Sequence, residues 1–144
     1  MIGWKYLRLK MMNKNICYIY CFVNASLTLR VVEHLRDRYR AYLNAVTVIN
    51  LIDRWIVRVS LSNSLPYHSA RNLQAFLDEM GIAAQPSTSV INVFSDLDRG
   101  KSVVEIMNCH QIVIVVHGKP ITEEIKFFRQ QIIDRLGYCP QNMT

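Results

Sequence analysis

Apolar and polar positions along this chain change period several times, and those changes mark out its elements. Ile16–Val23 is a near-continuous apolar run, the pattern of a strand in the middle of a sheet. After it, Ser26 stands where a helix cap belongs. Val32, Leu35, Tyr39, Tyr42 and Leu43 then recur at helical spacing while Arg30, Glu33, Asp37 and Arg40 line the other side, which predicts a helix to about Tyr42. Two β-rich runs follow, Ala45–Ile52 and Trp55–Ser62, with only Asp53-Arg54 between them. In the second, Trp55, Val57, Val59 and Leu61 alternate with Ile56, Arg58, Ser60 and Ser62, so the two runs are predicted to pair as a hairpin, although Asp-Arg is not the favoured turn chemistry. Ala70, Leu73, Phe76, Leu77 and Met80 form the stripe of a helix from about Tyr67 to Met80, closed by Gly81 with Ile82 as hydrophobic partner, and Ala83–Ser87 reads as a loop.

Ser89–Ser95 offers the next strand, which completes a ferredoxin-like βαββαβ order. Two readings fit Asp96–Met107. Leu97-Asp98-Arg99-Gly100-Lys101 can form a turn with a glycine bulge, joining Val90–Phe94 to Val103–Met107 as a hairpin, or Asp98 can cap a short helix bearing Val104 and Met107; the hairpin is preferred. Gln111–His117, with five consecutive β-branched residues from Ile112 to Val116, is predicted to be a central, buried strand. Ile121, Ile125, Phe128, Ile132 and Leu136 predict a last helix ending at Gly137. The expected fold class is therefore α/β (α+β): one domain over residues 15–137 with a mixed β-sheet, a ferredoxin-like order extended by a further strand and a C-terminal helix. Residues 1–14 form a basic N-terminal tail and 138–144 a C-terminal tail.

Composition agrees with a packed domain. Of 144 residues, 51% are apolar and 19% charged, which excludes a disordered or solvating chain, and no run approaches the length of a membrane span. The net charge of +6 is unevenly spread: residues 1–58 hold ten basic side chains against Glu33, Asp37 and Asp53, a local +7, and residues 59–144 come to −1. Lys5, Arg8, Lys10 and Lys14 alone supply +4, leaving the rest at +2. A start at Met11 or Met12 would make residues 1–10 an appendage. The basic opening followed by Ile16–Val23 and Val23-Asn24-Ala25 imitates a secretory signal, but two Cys and two Tyr within the run favour the strand. Cys17, Cys21, Cys109 and Cys139 include no CxxC pair, and Cys17 and Cys21 would stand about 13 Å apart in a strand, beyond disulfide or shared-zinc reach. A reduced, cytoplasmic protein without metal or cofactor is expected, rather than a secreted one.

Candidate chemistry is sparse. His117-Gly118-Lys119-Pro120 lies between a strand and a helix, where α/β proteins hold phosphates; it makes His117 a catalytic candidate and Gly118 and Lys119 ligand-binding candidates. It is neither GxGxxG nor a P-loop, and Glu123 and Glu124 in the next helical turn complement the dipole and would repel an anion. Asp98, with Asp96 and Glu105, has the chemistry of Mg²⁺ binding or proton transfer, yet a turn or cap explains it equally well. For nucleic acid the candidates are Arg36, Arg40, Arg54 and Arg58; Glu33 and Asp37 dilute the helical pair, and contact of this kind would be weak and non-specific. Tyr18 and Tyr20 share a strand face with Arg58 as a conceivable neighbour, which resembles the RRM plan in element order while lacking its Gly and aromatic motif.

If 98–108 is helical, residues 55–137 read β-α-β-α-β-α. That layout is similar to small Rossmann-like nucleotide- and nucleoside-processing domains such as the nucleoside deoxyribosyltransferase-like group. The resemblance implies an enzyme with a catalytic Glu after the last strand, at Glu123 or Glu124. The preferred expectation is a small non-catalytic binding or assembly domain acting through a protein partner or self-association, because strands this apolar leave edges that must be covered.

Overall fold

The computed structural model describes residues 15–119, 126, 127, 129 and 130. Along the chain run β1 (Asn15–Phe22), α1 (Ala25–Tyr39), β2 (Leu43–Asn50), β3 (Trp55–Ser62), α2 (Tyr67–Met80), β4 (Ile82–Ala83), α3 (Thr88–Asp98), α4 (Val103–His110) and β5 (Val113–Gly118). The strands form one sheet in the order β4-β1-β3-β2-β5, and every pairing is antiparallel. The α+β class stands, but the expected mixed sheet does not. The Rossmann-like layout fails with it, since a doubly wound sheet needs parallel neighbours.

The first half forms as its pattern dictates, with small shifts at the ends. Asn24, not Ser26, caps α1: its side-chain oxygen accepts from the Leu27 amide at 2.8 Å. The buried stripe Leu29, Val32 and Leu35 packs with Leu73 and Leu77 of α2 onto one sheet face, where Val46, Val48, Val57, Val59 and Leu61 meet them. Burial of each such side chain contributes about 1.5–3 kcal/mol. Tyr18 and Tyr20 lie on this covered face. Tyr20 is buried and donates its hydroxyl to Asp78 of α2, and Tyr18 donates to the Ala70 carbonyl. Burial, then Asp78, raises the Tyr20 hydroxyl above its ordinary range. Arg58 pairs with Ile19, so it faces away from both tyrosines, and no RRM-like aromatic platform is exposed here.

The second half departs from expectation. Ile82–Ala83 forms a short strand where Ala83 was expected to open a loop, and Ser89–Ser95 lies within helix α3 rather than a strand. Val90, Val93, Phe94 and Leu97, spaced i, i+3, i+4 and i+7, bury against Ile49, Ile56 and Ile114 on the second sheet face. Ser87 caps α3, and Ser102 caps α4 by accepting from the Glu105 amide at 3.1 Å, so the preferred hairpin over Val90–Met107 is replaced by two helices. Gly100, with φ of +87°, ends α3 instead of forming a hairpin bulge. Asp96 ties the pair together: its carboxylate lies 3.1 Å from His110 Nε2, with Arg99 and Lys101 close by.

β5 is an edge strand, not a central one. Its apolar run is explained by its two covered faces: Val116 joins the α1–α2 core and Ile114 the α3–α4 core, with an irregularity of register between them. Residues 126, 127, 129 and 130 are helical, and Arg129 bonds to Glu33 of α1. Most of the predicted 121–136 helix lies outside the described residues, as do both tails. No helix among the described residues is long and apolar enough to cross a membrane.

Candidate functional site

Helices α3 and α4 cover only part of the second sheet face, and the antiparallel register specifies what the remainder presents. Ile19, Arg58, Thr47 and His117 lie side by side across β1, β3, β2 and β5; one row further, Cys17, Ser60 and Ala45 make a floor of small side chains. The C-terminal end of α3 brings Leu97 and Asp98 over this floor and closes a concavity of about 540 Å³.

Its electrostatics centre on Arg58. The guanidinium donates from Nη1 and Nη2 to the two carboxylate oxygens of Asp98 at 3.0 and 2.8 Å, and its Cζ lies 4.5 Å from the Phe94 ring centroid. The Arg58 side chain is 13% exposed and that of Asp98 62%, so the cation is embedded and the carboxylate is the partner within reach of solvent. Beside them the buried Thr47 hydroxyl lies 2.8 Å from His117 Nδ1. This bond fixes the ring and leaves Nε2 as its second polar atom. Burial first, then the Arg58 charge, holds His117 below the ordinary histidine range, while Asp98 pulls the other way.

The sequence candidates therefore part company. Asp98 and His117 do line one concavity, joined by Arg58, which its sequence context suggested for nucleic acid. Gly118 ends β5 with φ of +119° and Lys119 is exposed just beyond it; Glu123 and Glu124 lie outside the described residues. Asp96 belongs to the α3–α4 joint with His110 and takes no part. Arg36 pairs with Asp37 on α1, Arg40 follows at its end, and Arg54 lies near Asp53 in the β2–β3 turn. With Arg58 on the far side of the sheet, no single surface collects all four arginines. Thr47, Ser60 and Cys17 were not foreseen as site residues, yet one signal was available: polar or small residues at every second position of otherwise apolar strands.

The opposite end of the sheet differs in character. Val23, Ile52, Ile82 and Val113, each at least 47% exposed, sit where β1, β2, β4 and β5 begin or end. Two concavities there, of about 710 and 370 Å³, share Leu51 in their walls. Among the described residues no group of three or more His, Cys, Asp or Glu could hold a metal. No known protein family matches this chain, and neither does any curated protein or solved structure.

A pH dependence follows from two histidines. His34 stacks on Phe76 with centroids 3.8 Å apart, and burial, then Arg38, lowers its pKa as it does that of His117. A histidine with a depressed folded pKa contributes stability that is complete above the unfolded value of about 6.5 and is lost as the pH falls toward the folded value. Asp96 is likewise depressed, chiefly by its bond to His110, so its contribution persists to lower pH and disappears as the pH falls below the ordinary carboxylate range. Urea denaturation is expected to show stability declining in two stages, below pH 6.5 and again below pH 4, with the first reduced in His34→Gln and His117→Gln. A midpoint constant between pH 7.5 and 5 contradicts this.

Proposed function

We propose that the chain is a non-catalytic binding domain that acts through protein–protein contacts, made by the end of the sheet where Val23, Ile52, Ile82 and Val113 converge. One observation carries the reading: four large apolar side chains at one end of the sheet, the Ile52 side chain fully exposed. All four lie at one end of the sheet, Ile82 beside Val23 on the neighbouring strands β4 and β1 and Ile52 beside Val113 on β2 and β5, with β3 between the two pairs. We also propose that a ferredoxin-like βαββαβ unit underlies the fold. The element order through Ala83 and the neighbours β4-β1-β3-β2 support this, with α3, α4 and β5 added to it. In such a unit both helices cover one sheet face. Here the added helices cover part of the other.

A second copy of the chain is the partner this end suits, because β5 leaves one edge of the sheet unpaired among the described residues and a two-fold dimer is the commonest oligomer. Sedimentation equilibrium is expected to give a mass above 16.8 kDa that rises with concentration and returns to the monomer in the double variant Ile52→Asp, Val113→Asp. A monomer mass at every concentration overturns the proposal. The same double variant should fold normally, since both positions are exposed.

A further inference from the structure

At the other end of the sheet, the concavity beneath α3 has the features of a small-molecule site, and this inference is independent of the apolar end. Arg58 is the anchor. It is 13% exposed, stacked against Phe94, and fixed on a central strand, whereas Asp98 is the last residue of α3 and 62% exposed. A guanidinium has five N–H donors; among the described residues Asp98 takes two and no other side chain takes the rest. The Ser60 hydroxyl, which has no partner among the described residues, and the Nε2 of His117 belong to the same lining. Arg58 thus keeps N–H donors to spare beside a floor kept open by Cys17, Ala45 and Ser60. Asp98 itself displays the group that Arg58 accepts: a planar carboxylate held by two N–H donors.

We propose that this concavity binds a small organic acid through its carboxylate, which Arg58 holds in competition with Asp98. Ser60 and the His117 Nε2 contribute further hydrogen bonds. At about 540 Å³ the space suits a small ligand, not a macromolecule. The Asp98 carboxylate is a tethered competitor, so removing its charge frees the Arg58 fork without disturbing the buried cation's other contacts.

The test is a titration of the full chain with succinate, followed by amide NMR spectra at ionic strength matched with chloride. Saturable shifts are expected at residues 45–47, 58–60, 97–98 and 117–119. Asp98→Asn should tighten succinate binding on the order of tenfold, as expected when a charge-assisted competitor is removed. Arg58→Gln should abolish it. Asp98→Asn keeps the proposal testable should Arg58→Gln fail to fold, since Asp98 is exposed and its loss leaves the core intact. Absence of saturable shifts in both the wild-type chain and Asp98→Asn overturns the site. Saturation by inorganic phosphate with none by succinate overturns the carboxylate assignment.

Discussion

Gly81→Ala is expected to destabilise the protein by about 3 kcal/mol, the upper part of the range for forcing atoms into a packed interior. Gly81 lies where α2 ends and β4 turns to pair with β1. A Cβ built there would stand 2.4 Å from the Cys21 carbonyl oxygen and 2.5 Å from the Phe22 ring. Its φ of −160° is open to any residue, so backbone strain plays no part and the close approach is the whole cause. Phe22 is fully buried, stacked 6.3 Å from Tyr20, and the carbonyl is backbone; neither can yield cheaply. The double variant Phe22→Leu, Gly81→Ala should recover none of the loss, because the carbonyl contact remains. Urea denaturation of the single variant checks this, and a change below 0.5 kcal/mol, roughly the size of a neutral surface substitution, would falsify it.

Phe94→Ala should cost about 4 kcal/mol, within the range for truncating a buried phenylalanine. Phe94 is 5% exposed and packs between α3 and the sheet face carrying Ile49, Ile56 and Ile114. It also lies beside the Arg58 guanidinium, so its removal opens the core and the wall of the concavity together. Phe94→Leu separates these effects. Leucine keeps most of the apolar volume and should cost about 1–2 kcal/mol, while the cation–π contact is lost in both variants. If the ring steadies Arg58 for a ligand, Phe94→Leu will weaken succinate binding while the fold survives. Equal stability of Phe94→Ala and the parent chain would show that α3 is not docked as described.

The pattern points to a strand where α3 forms, and over 96–107 it favours a hairpin above the short helix that α4 partly realises. Val90-Ile91-Asn92-Val93-Phe94 is rich in residues that favour strands, and Asp98-Arg99-Gly100 has hairpin chemistry. Both inferences rest on propensity, which tertiary packing overrides. The competing signals were present: the i, i+3, i+4, i+7 spacing of Val90, Val93, Phe94 and Leu97, and the capping pattern Ser102-x-x-Glu105. In contrast, Trp55–Ser62 and Tyr67–Met80 match their expected bounds, because period and end signals agree there. β5 shows a subtler failure. A run of β-branched residues reports that both faces are covered, and it does not report whether both edges are paired.

The candidate site was legible only as separate residues. Asp98 and His117 drew attention as titratable groups and Arg58 as a cation, but 40 positions separate Arg58 from Asp98, and 70 separate Thr47 from His117. No local pattern links residues so far apart.

By itself, the sequence determined the α+β class, the β2–β3 hairpin, the helical state of α1 and α2 and the basic opening, because each depends on period, capping or charge within a short window. Tertiary structure alone decided the antiparallel order, the edge position of β5, the helical state of 88–110 and the meeting of Arg58, Asp98, Thr47 and His117. Those depend on strand register and on which face each helix covers. Both are properties of contacts between distant segments, whose free energy no short window contains.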